Sequence, residues 1–273
     1  MPSFDQIVAA IAGTRVLAGG QSLLNVLRRA AAVDALVDIR RLEEPRSIDI
    51  ERGGAIVIGA GTRYDEVAAS DIVRDALPTL ATVAAHYVDR PVRARGTVGG
   101  ESCFNDPRSS LPPLLVALDA RFRIAGGGGL REVAAVDFFR APFRTAVAQH
   151  EILHSVVVPA LAPDATVTYR ALQVAWEIAR AVVHLDGEPI ARARVVVDCF
   201  GPRPLRQPAI EAALLGRTRA SVDPVALGAL VGPDEPVAGD PHANAGYRLE
   251  MARVLVAQAL YEAVGEELPW TIS

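Results

Sequence analysis

Apolar positions along the chain recur with two periods. Ser3-Phe4-Asp5-Gln6 has the form of a capping box, with Phe4, Ile7, Val8 and Ile11 at helical spacing and Gly13 as the stop. Residues 15–18 predict a short strand that breaks into Gly19-Gly20, and Ser22 then caps a second helix to about Ala32. Residues 35–39 and 47–50 predict strands. Gly53-Gly54 marks a boundary, after which residues 55–59 predict a buried strand. Thr62 and Asp65 start a helix through Ala69, and a further helix covers residues 77–86. Residues 95–106 read as a polar, glycine-rich stretch ahead of an apolar helix at 114–118. Residues 121–124 and 130–133, joined by a glycine turn, predict a hairpin, and residues 151–158 a closing strand.

Past a linker at residues 159–163 the pattern changes. Residue 166–174 predicts a strand, and 182–185 with 190–199 flank Asp186-Gly187-Glu188-Pro189 as a hairpin. Helical patterns follow near 209–215, 224–230 and 245–265. The division expected is therefore 1–53, 54–163 and 164–273, with a short mixed sheet backed by helices in the last part.

Composition narrows the function. The chain has 273 residues, 51% hydrophobic and 22% charged, with a formal net charge of −4. That is globular composition, and its acidity with 5% aromatics argues against nucleic acid or an anionic membrane as partner. All 28 basic residues are arginines. The absence of lysine excludes a Walker-type phosphate loop, a Schiff-base lysine and a kinase-type ion pair. Two cysteines, Cys103 and Cys199, are too few for a cysteine-ligated iron–sulfur cluster, and the five histidines show no metal-binding spacing. No metal is expected. No apolar run reaches membrane-spanning length and the start has no basic leader, so a cytoplasmic location is expected.

Two loops carry the candidate chemistry. In Leu17-Ala18-Gly19-Gly20-Gln21-Ser22 a strand breaks into paired glycines at the start of a helix; Gly96-Thr97-Val98-Gly99-Gly100 again combines glycines with a hydroxyl. Glycines let backbone N–H groups approach an anion, so two such loops in a lysine-free chain suit a diphosphate held by N–H groups. Each loop alone is also what an ordinary turn looks like.

Together, Leu17–Leu24 and Arg93–Gly100 resemble the two signature loops of the FAD-binding subunit of molybdenum hydroxylases, the group of carbon monoxide dehydrogenase medium subunits and the xanthine dehydrogenase flavin domain. Ile58-Gly59-Ala60-Gly61-Thr62, Asp106-Pro107, Asp137-Phe138-Phe139, Glu151-Ile152-Leu153 and Pro204-Leu205-Arg206 agree in order and spacing. The resemblance implies an α+β chain: a two-subdomain FAD-binding fold of the vanillyl-alcohol-oxidase (PCMH) type plus a C-terminal α/β domain. It implies FAD as cofactor, with Ala18, Gly19, Gly20, Gln21, Ser22 and Leu23 in one loop and Thr97, Gly99 and Gly100 in the other on the pyrophosphate. Asp106, Ser110 and Arg170 follow as further cofactor residues, and Ile152 and Leu153 as contacts of the flavin or adenine. No residue is assigned to acid–base catalysis.

The implied role is an oxidoreductase subunit taking electrons from iron–sulfur and molybdopterin subunits to NAD, oxygen or a quinone. The alternatives are a stand-alone FAD-dependent oxidoreductase and a flavin-free scaffold or binding member. The departures from the family pattern bear on this choice: Glu101 follows the second glycine pair, and Ser110 stands where a ribose-binding carboxylate is usual. A charge about 5 Å from a phosphate costs roughly 3 kcal/mol at an effective dielectric of about 20. Glu101 is thus expected on a ribose hydroxyl or in solvent, not on the pyrophosphate.

Overall fold

A computed structural model describes residues 14–28, 35–42, 45–86, 89–173, 177–199, 201–232, 237 and 239–268. The helix expected over residues 3–12, the end of the one expected to reach Ala32, and Trp176 lie outside the described residues. Two compact units make up the chain, one of residues 1–112 and 119–160, the other of residues 113–118 and 161–273.

In the first unit, β1 (Arg15–Leu17) is followed by α1 (Leu23–Arg28) and by β2 (Leu36–Asp38), which pairs with β1 in parallel. Parallel pairing requires such a crossover. Next come β3 (Ile48–Ile50), β4 (Ile56–Gly59) and the helices α2 (Tyr64–Ala69), α3 (Asp71–Ala76) and α4 (Pro78–His86). Ser70 ends α2 and caps α3, its hydroxyl accepting from the Val73 amide. Short helices α5 (Arg90–Arg93) and α6 (Val98–Phe104) are followed by α7 (Leu111–Ala117), which belongs to the second unit from residue 113 on, and the first unit resumes with the hairpin β5 (Arg121–Gly126) and β6 (Gly129–Ala134). Then α8 (Ala135–Phe138), the small pair β7 (Phe139–Ala141) and β8 (Arg144–Thr145), and β9 (Ile152–Val158) complete the unit.

The main sheet is antiparallel, in the order β3-β4-β9-β5-β6. Gly53 and Gly54, with φ of 92° and 83°, make the turn from β3 into β4. The glycine pair thus joins two strands of one sheet, and residues 48–50 belong with the strands that follow, not with β1 and β2. A positive φ explains the glycines without any domain boundary. All four residues of β4 are buried, as are Val156 and Val158 of β9. Phe122 of β5 stacks on Phe138 at 3.7 Å between ring centroids and meets Phe139 edge-on at 5.4 Å.

The second unit carries the antiparallel sheet β10 (Thr166–Gln173), β11 (Glu177–Asp186), β12 (Arg192–Asp198) and β13 (Leu205–Arg206). Helices α9 (Pro208–Leu214), α10 (Pro224–Gly228) and α11 (Ala245–Val264) follow. Ala179, Ala181, Val183 and Leu185 alternate along β11 to one face, where Ala252, Leu255, Val256, Ala259 and Ala263 of α11 cover them. The opposite face of β11 is also buried. There His184, fully enclosed, sets Nδ1 3.0 Å from the Ala117 carbonyl and Nε2 2.8 Å from Asp186. Burial on both faces is why β11 starts earlier than its apolar run and spans ten residues.

Phe138→Ala should destabilise the protein by about 3–5 kcal/mol, because the ring fills a closed aromatic cluster. Denaturant unfolding measures this, and a loss below about 1 kcal/mol would mean that the cluster collapses to fill the gap.

Candidate functional site

Three backbone segments converge beside the ends of β1 and β4. A Cβ placed on Gly19 would overlap the Arg95 carbonyl and lie 2.9 Å from the Gly96 Cα. One on Gly99 would lie 2.7 Å from the Ala60 carbonyl oxygen. Hydrogen bonds fasten the same segments: Gly99 N–H donates to Ala60 (2.8 Å), Val98 N–H to Thr62 (3.0 Å) and Tyr64 N–H to Gly96 (3.2 Å). These glycines are required by chain packing against chain.

The two glycine loops differ in how their amides are engaged. In the second, Thr97 caps α6, its hydroxyl accepting from Gly100 N–H at 3.0 Å, and Glu101 N–H donates to the Thr97 carbonyl. The amides of Val98, Gly99, Gly100 and Glu101 are engaged within the protein, whereas that of Thr97 has no backbone acceptor among the described residues. Residues 98–104 are helical where a polar loop was expected, with Asn105 (φ 46°) as a left-handed C-cap. In the first loop, the N–H groups of Gly19, Gly20, Ser22 and Leu23 have no acceptor among the described residues. Gly20 has φ of 75°, and the Gln21 amide donates to the Gly19 carbonyl at 3.3 Å.

Where these segments meet lies a cavity of about 430 Å³ lined by Ala18, Gly19, Ile39, Gly61, Ala94 and Thr97 together with five arginines, Arg40, Arg41, Arg46, Arg63 and Arg95. No carboxylate among the described residues lines it. Arg40 is paired bidentately with Asp38 at 2.9 and 2.6 Å, and Arg46 with Glu66. The Arg40 fork holds the Asp38 carboxyl low, at about 2. Arg41, Arg63 and Arg95 are exposed and make no salt bridge among the described residues, although the Arg41 charge also helps hold the Asp38 carboxyl low. Beneath the first loop, Ala18 and Val16 pack on a small apolar cluster of Ile39, Ala125 and Ile152.

The remaining expected site residues have these surroundings. Glu101 turns to the backbone ahead of α7, its Oε1 accepting from Ser110 N–H at 2.7 Å and Leu111 N–H at 3.3 Å. Both peptide donors engage Oε1, while Oε2 is a buried atom with no hydrogen-bond partner among the described residues, so the carboxylate does not point to solvent. Asp106 is bound bidentately by Arg108. Ile152 and Leu153 are buried in the apolar interior and do not line the cavity. Arg170 lies in the second unit, paired with Glu262 at 2.9 Å. Burial pushes the Cys103 thiol up to about 12, which makes it a packing residue. No cluster of metal-ligating side chains occurs among the described residues. The cavity arginines come from four separated stretches, so the sequence does not show them as one group; Arg95 is the one that stands in a local basic run, with Arg90 and Arg93.

Residues 3–161 match the family model for the FAD binding domain in molybdopterin dehydrogenase, and residues 170–263 that for the CO dehydrogenase flavoprotein C-terminal domain. The chain belongs to this family. It is 34% identical to the carbon monoxide dehydrogenase medium chain of Hydrogenophaga pseudoflava, over 91% of this chain and 88% of that one. It is 31% identical to the glyceraldehyde dehydrogenase medium chain of Sulfolobus acidocaldarius, over 91% and 90%. A solved carbon monoxide dehydrogenase from Hydrogenophaga pseudoflava superposes with a TM-score of 0.89 at 33% identity, covering 96% of this chain and 94% of that one. The chain is thus a medium subunit of the molybdenum hydroxylase type, an FAD-dependent oxidoreductase. The α+β fold expected from the two signature loops is the fold of this family. No helix among the described residues is long and apolar enough to cross a membrane.

Two substitutions test this geometry. Glu101→Ala removes charge-assisted bonds to Ser110 and Leu111 and should cost about 1.5–3 kcal/mol of stability in flavin-free protein. Unchanged apo-protein stability with weakened FAD binding would instead return this carboxylate to the ribose. Gly19→Ala should push the first loop off Arg95 and lower both the melting temperature and the flavin content; wild-type values for both would show that the loops do not need this approach.

Proposed function

We propose that this chain binds FAD along the first glycine loop and the arginine-lined cavity, and carries electrons from an iron–sulfur and molybdopterin partner to an external acceptor such as NAD, oxygen or a quinone. One observation carries the binding assignment: N–H groups at Gly19 and Gly20 with no acceptor among the described residues adjoin a cavity whose described lining has five arginines and no carboxylate. That donor set fits a diphosphate. FAD supplies the interchange of single electrons and electron pairs. The chain's own residues bind and orient it: Gly19, Gly20, Ser22 and Leu23 present amides, while Thr97 and Gly99 hold the opposing wall in place.

A partner supplying the electrons follows from the family and from the thiols. Relatives are named as medium chains, and one as a subunit of the 6-hydroxypseudooxynicotine dehydrogenase complex. The two cysteines of this sequence are both raised above the usual thiol range by burial, so neither is set up as a cluster ligand. Glu101, a departure that favoured a stand-alone enzyme, has a structural role here and does not argue against the complex. We place the assembly in the cytoplasm.

The purified chain should carry flavin absorbance or take up FAD to about one equivalent, and should co-purify with iron–sulfur and molybdopterin subunits when co-expressed with them. A colourless chain that refuses FAD would overturn the binding assignment. A flavin-loaded chain that ignores such partners and oxidises a small molecule alone would establish the stand-alone reading.

A further inference from the structure

Phe143 stands at a place in the first unit where folding alone favours another residue. It occupies the turn between β7 and β8 with φ of 59°, a left-handed conformation for which turns use glycine or asparagine. It is 55% exposed and meets Phe104 edge-on at 5.1 Å between ring centroids. A phenylalanine here carries backbone strain and leaves apolar surface in water, so the isolated chain gains little from it. The turn is nevertheless held firmly. Phe143 N–H donates to the Asn105 carbonyl at 2.9 Å, and the Asn105 side-chain amide donates to the carbonyls of Ala141 at 2.7 Å and Arg144 at 3.1 Å. Arg140 and Arg144 border the turn, both exposed and without a salt bridge among the described residues.

An exposed aromatic tip does not enclose a small molecule, which needs a concave site. Two arginines fall short of the basic run that holds a protein on an anionic bilayer. An aromatic ring and arginines presented in one fixed geometry are what the centre of a protein interface uses. We propose that Arg140, Phe143 and Arg144 form a docking knob for the iron–sulfur subunit that delivers electrons, the ring entering an apolar pocket rimmed by carboxylates. Charge complementarity with the two arginines gives the acidic rim. The position of the knob gives the subunit. Helix α6 starts at Thr97 of the second glycine loop and ends at Asn105, which holds the knob, and its seven residues span about 10 Å. A subunit seated there is brought near the flavin, where an electron donor is needed. The proposal rests on the FAD reading for the identity of the partner and adds the surface on which that partner sits.

The test co-expresses the full chain with its iron–sulfur and molybdopterin subunits and then titrates the purified chain with the iron–sulfur subunit. Flavin content and the melting temperature of the chain alone are read in parallel. Phe143→Asn removes the ring and keeps a residue that tolerates the left-handed turn. It should weaken binding of the iron–sulfur subunit at least about tenfold, the loss of one interface anchor, with flavin content unchanged and a melting temperature no lower than wild type. Phe143→Tyr should bind as wild type does. Arg140→Gln and Arg144→Gln together should weaken binding about threefold to tenfold and flatten its dependence on sodium chloride. Wild-type binding by all these variants, with FAD in place, overturns the knob and leaves the FAD reading intact. A loss that falls on the molybdopterin subunit alone, or on binding to phosphatidylserine vesicles, overturns the choice of occupant. Flavin lost together with the subunit shows that the hairpin serves the fold, and overturns the proposal. A wild-type chain that binds FAD but no iron–sulfur subunit overturns this surface and the electron relay together. One that binds no FAD yet recovers the subunit through Phe143 overturns only the FAD reading.

Discussion

The close approach of Gly19 to Arg95 and Gly96, and of Gly99 to Ala60, is the constraint on which the first unit's site depends. Peptide groups from three separate segments touch without intervening side chains, so any Cβ at these positions moves a wall of the cavity. The approach is made from below by apolar packing: Val16 and Ala18 rest on Ile39, Ala125 and Ile152, which fixes where β1 ends relative to β9. From the side it is made by the bonds that tie the start of α6 to residues 60–62. Loop chemistry here is a consequence of core packing, since the donors at Gly19 and Gly20 are left free only because their own chain continues into α1 instead of into a sheet.

The distribution of acidic groups follows from the same packing. Carboxylates near the loops are turned onto protein donors: Asp38 onto Arg40, Glu66 onto Arg46 and the Arg63 amide, Asp106 onto Arg108, and Glu101 onto Ser110 and Leu111. A carboxylate held by a guanidinium fork is satisfied where it stands and has little to gain from turning outward, whereas at Glu101 only Oε1 is so engaged. A chain with net charge −4 can in this way expose a strongly cationic recess.

Much of this was legible in the sequence. The paired glycines, the apolar alternation of residues 121–133 and 151–158, and the helical pattern at 245–265 each announced their element, because local pattern and tertiary environment agree there. The misreadings have physical causes. Gly53-Gly54 looked like a break between domains, yet positive φ serves a hairpin equally well. Residues 98–104 looked like loop because three of their neighbours and members are glycine, and the cap from Thr97 that secures the helix is a single hydrogen bond. Glu101 was weighed only against ligand and solvent; its partners at Ser110 and Leu111 lie nine and ten residues away, in a loop whose path the sequence does not specify.

The ionisable groups near the site complete the argument about what kind of chemistry this chain performs. A general acid or base works best with its ionisation near the ambient pH. Where ionisation is shifted here, it is shifted away from that range: the Asp38 carboxyl is held to about 2 by Arg40, and the Cys103 thiol is pushed to about 12 by burial. Groups fixed in one protonation state bind and orient well and transfer protons poorly. That is the division of labour expected of a flavin subunit, in which redox chemistry resides in the cofactor and the protein contributes shape, donors and positive charge.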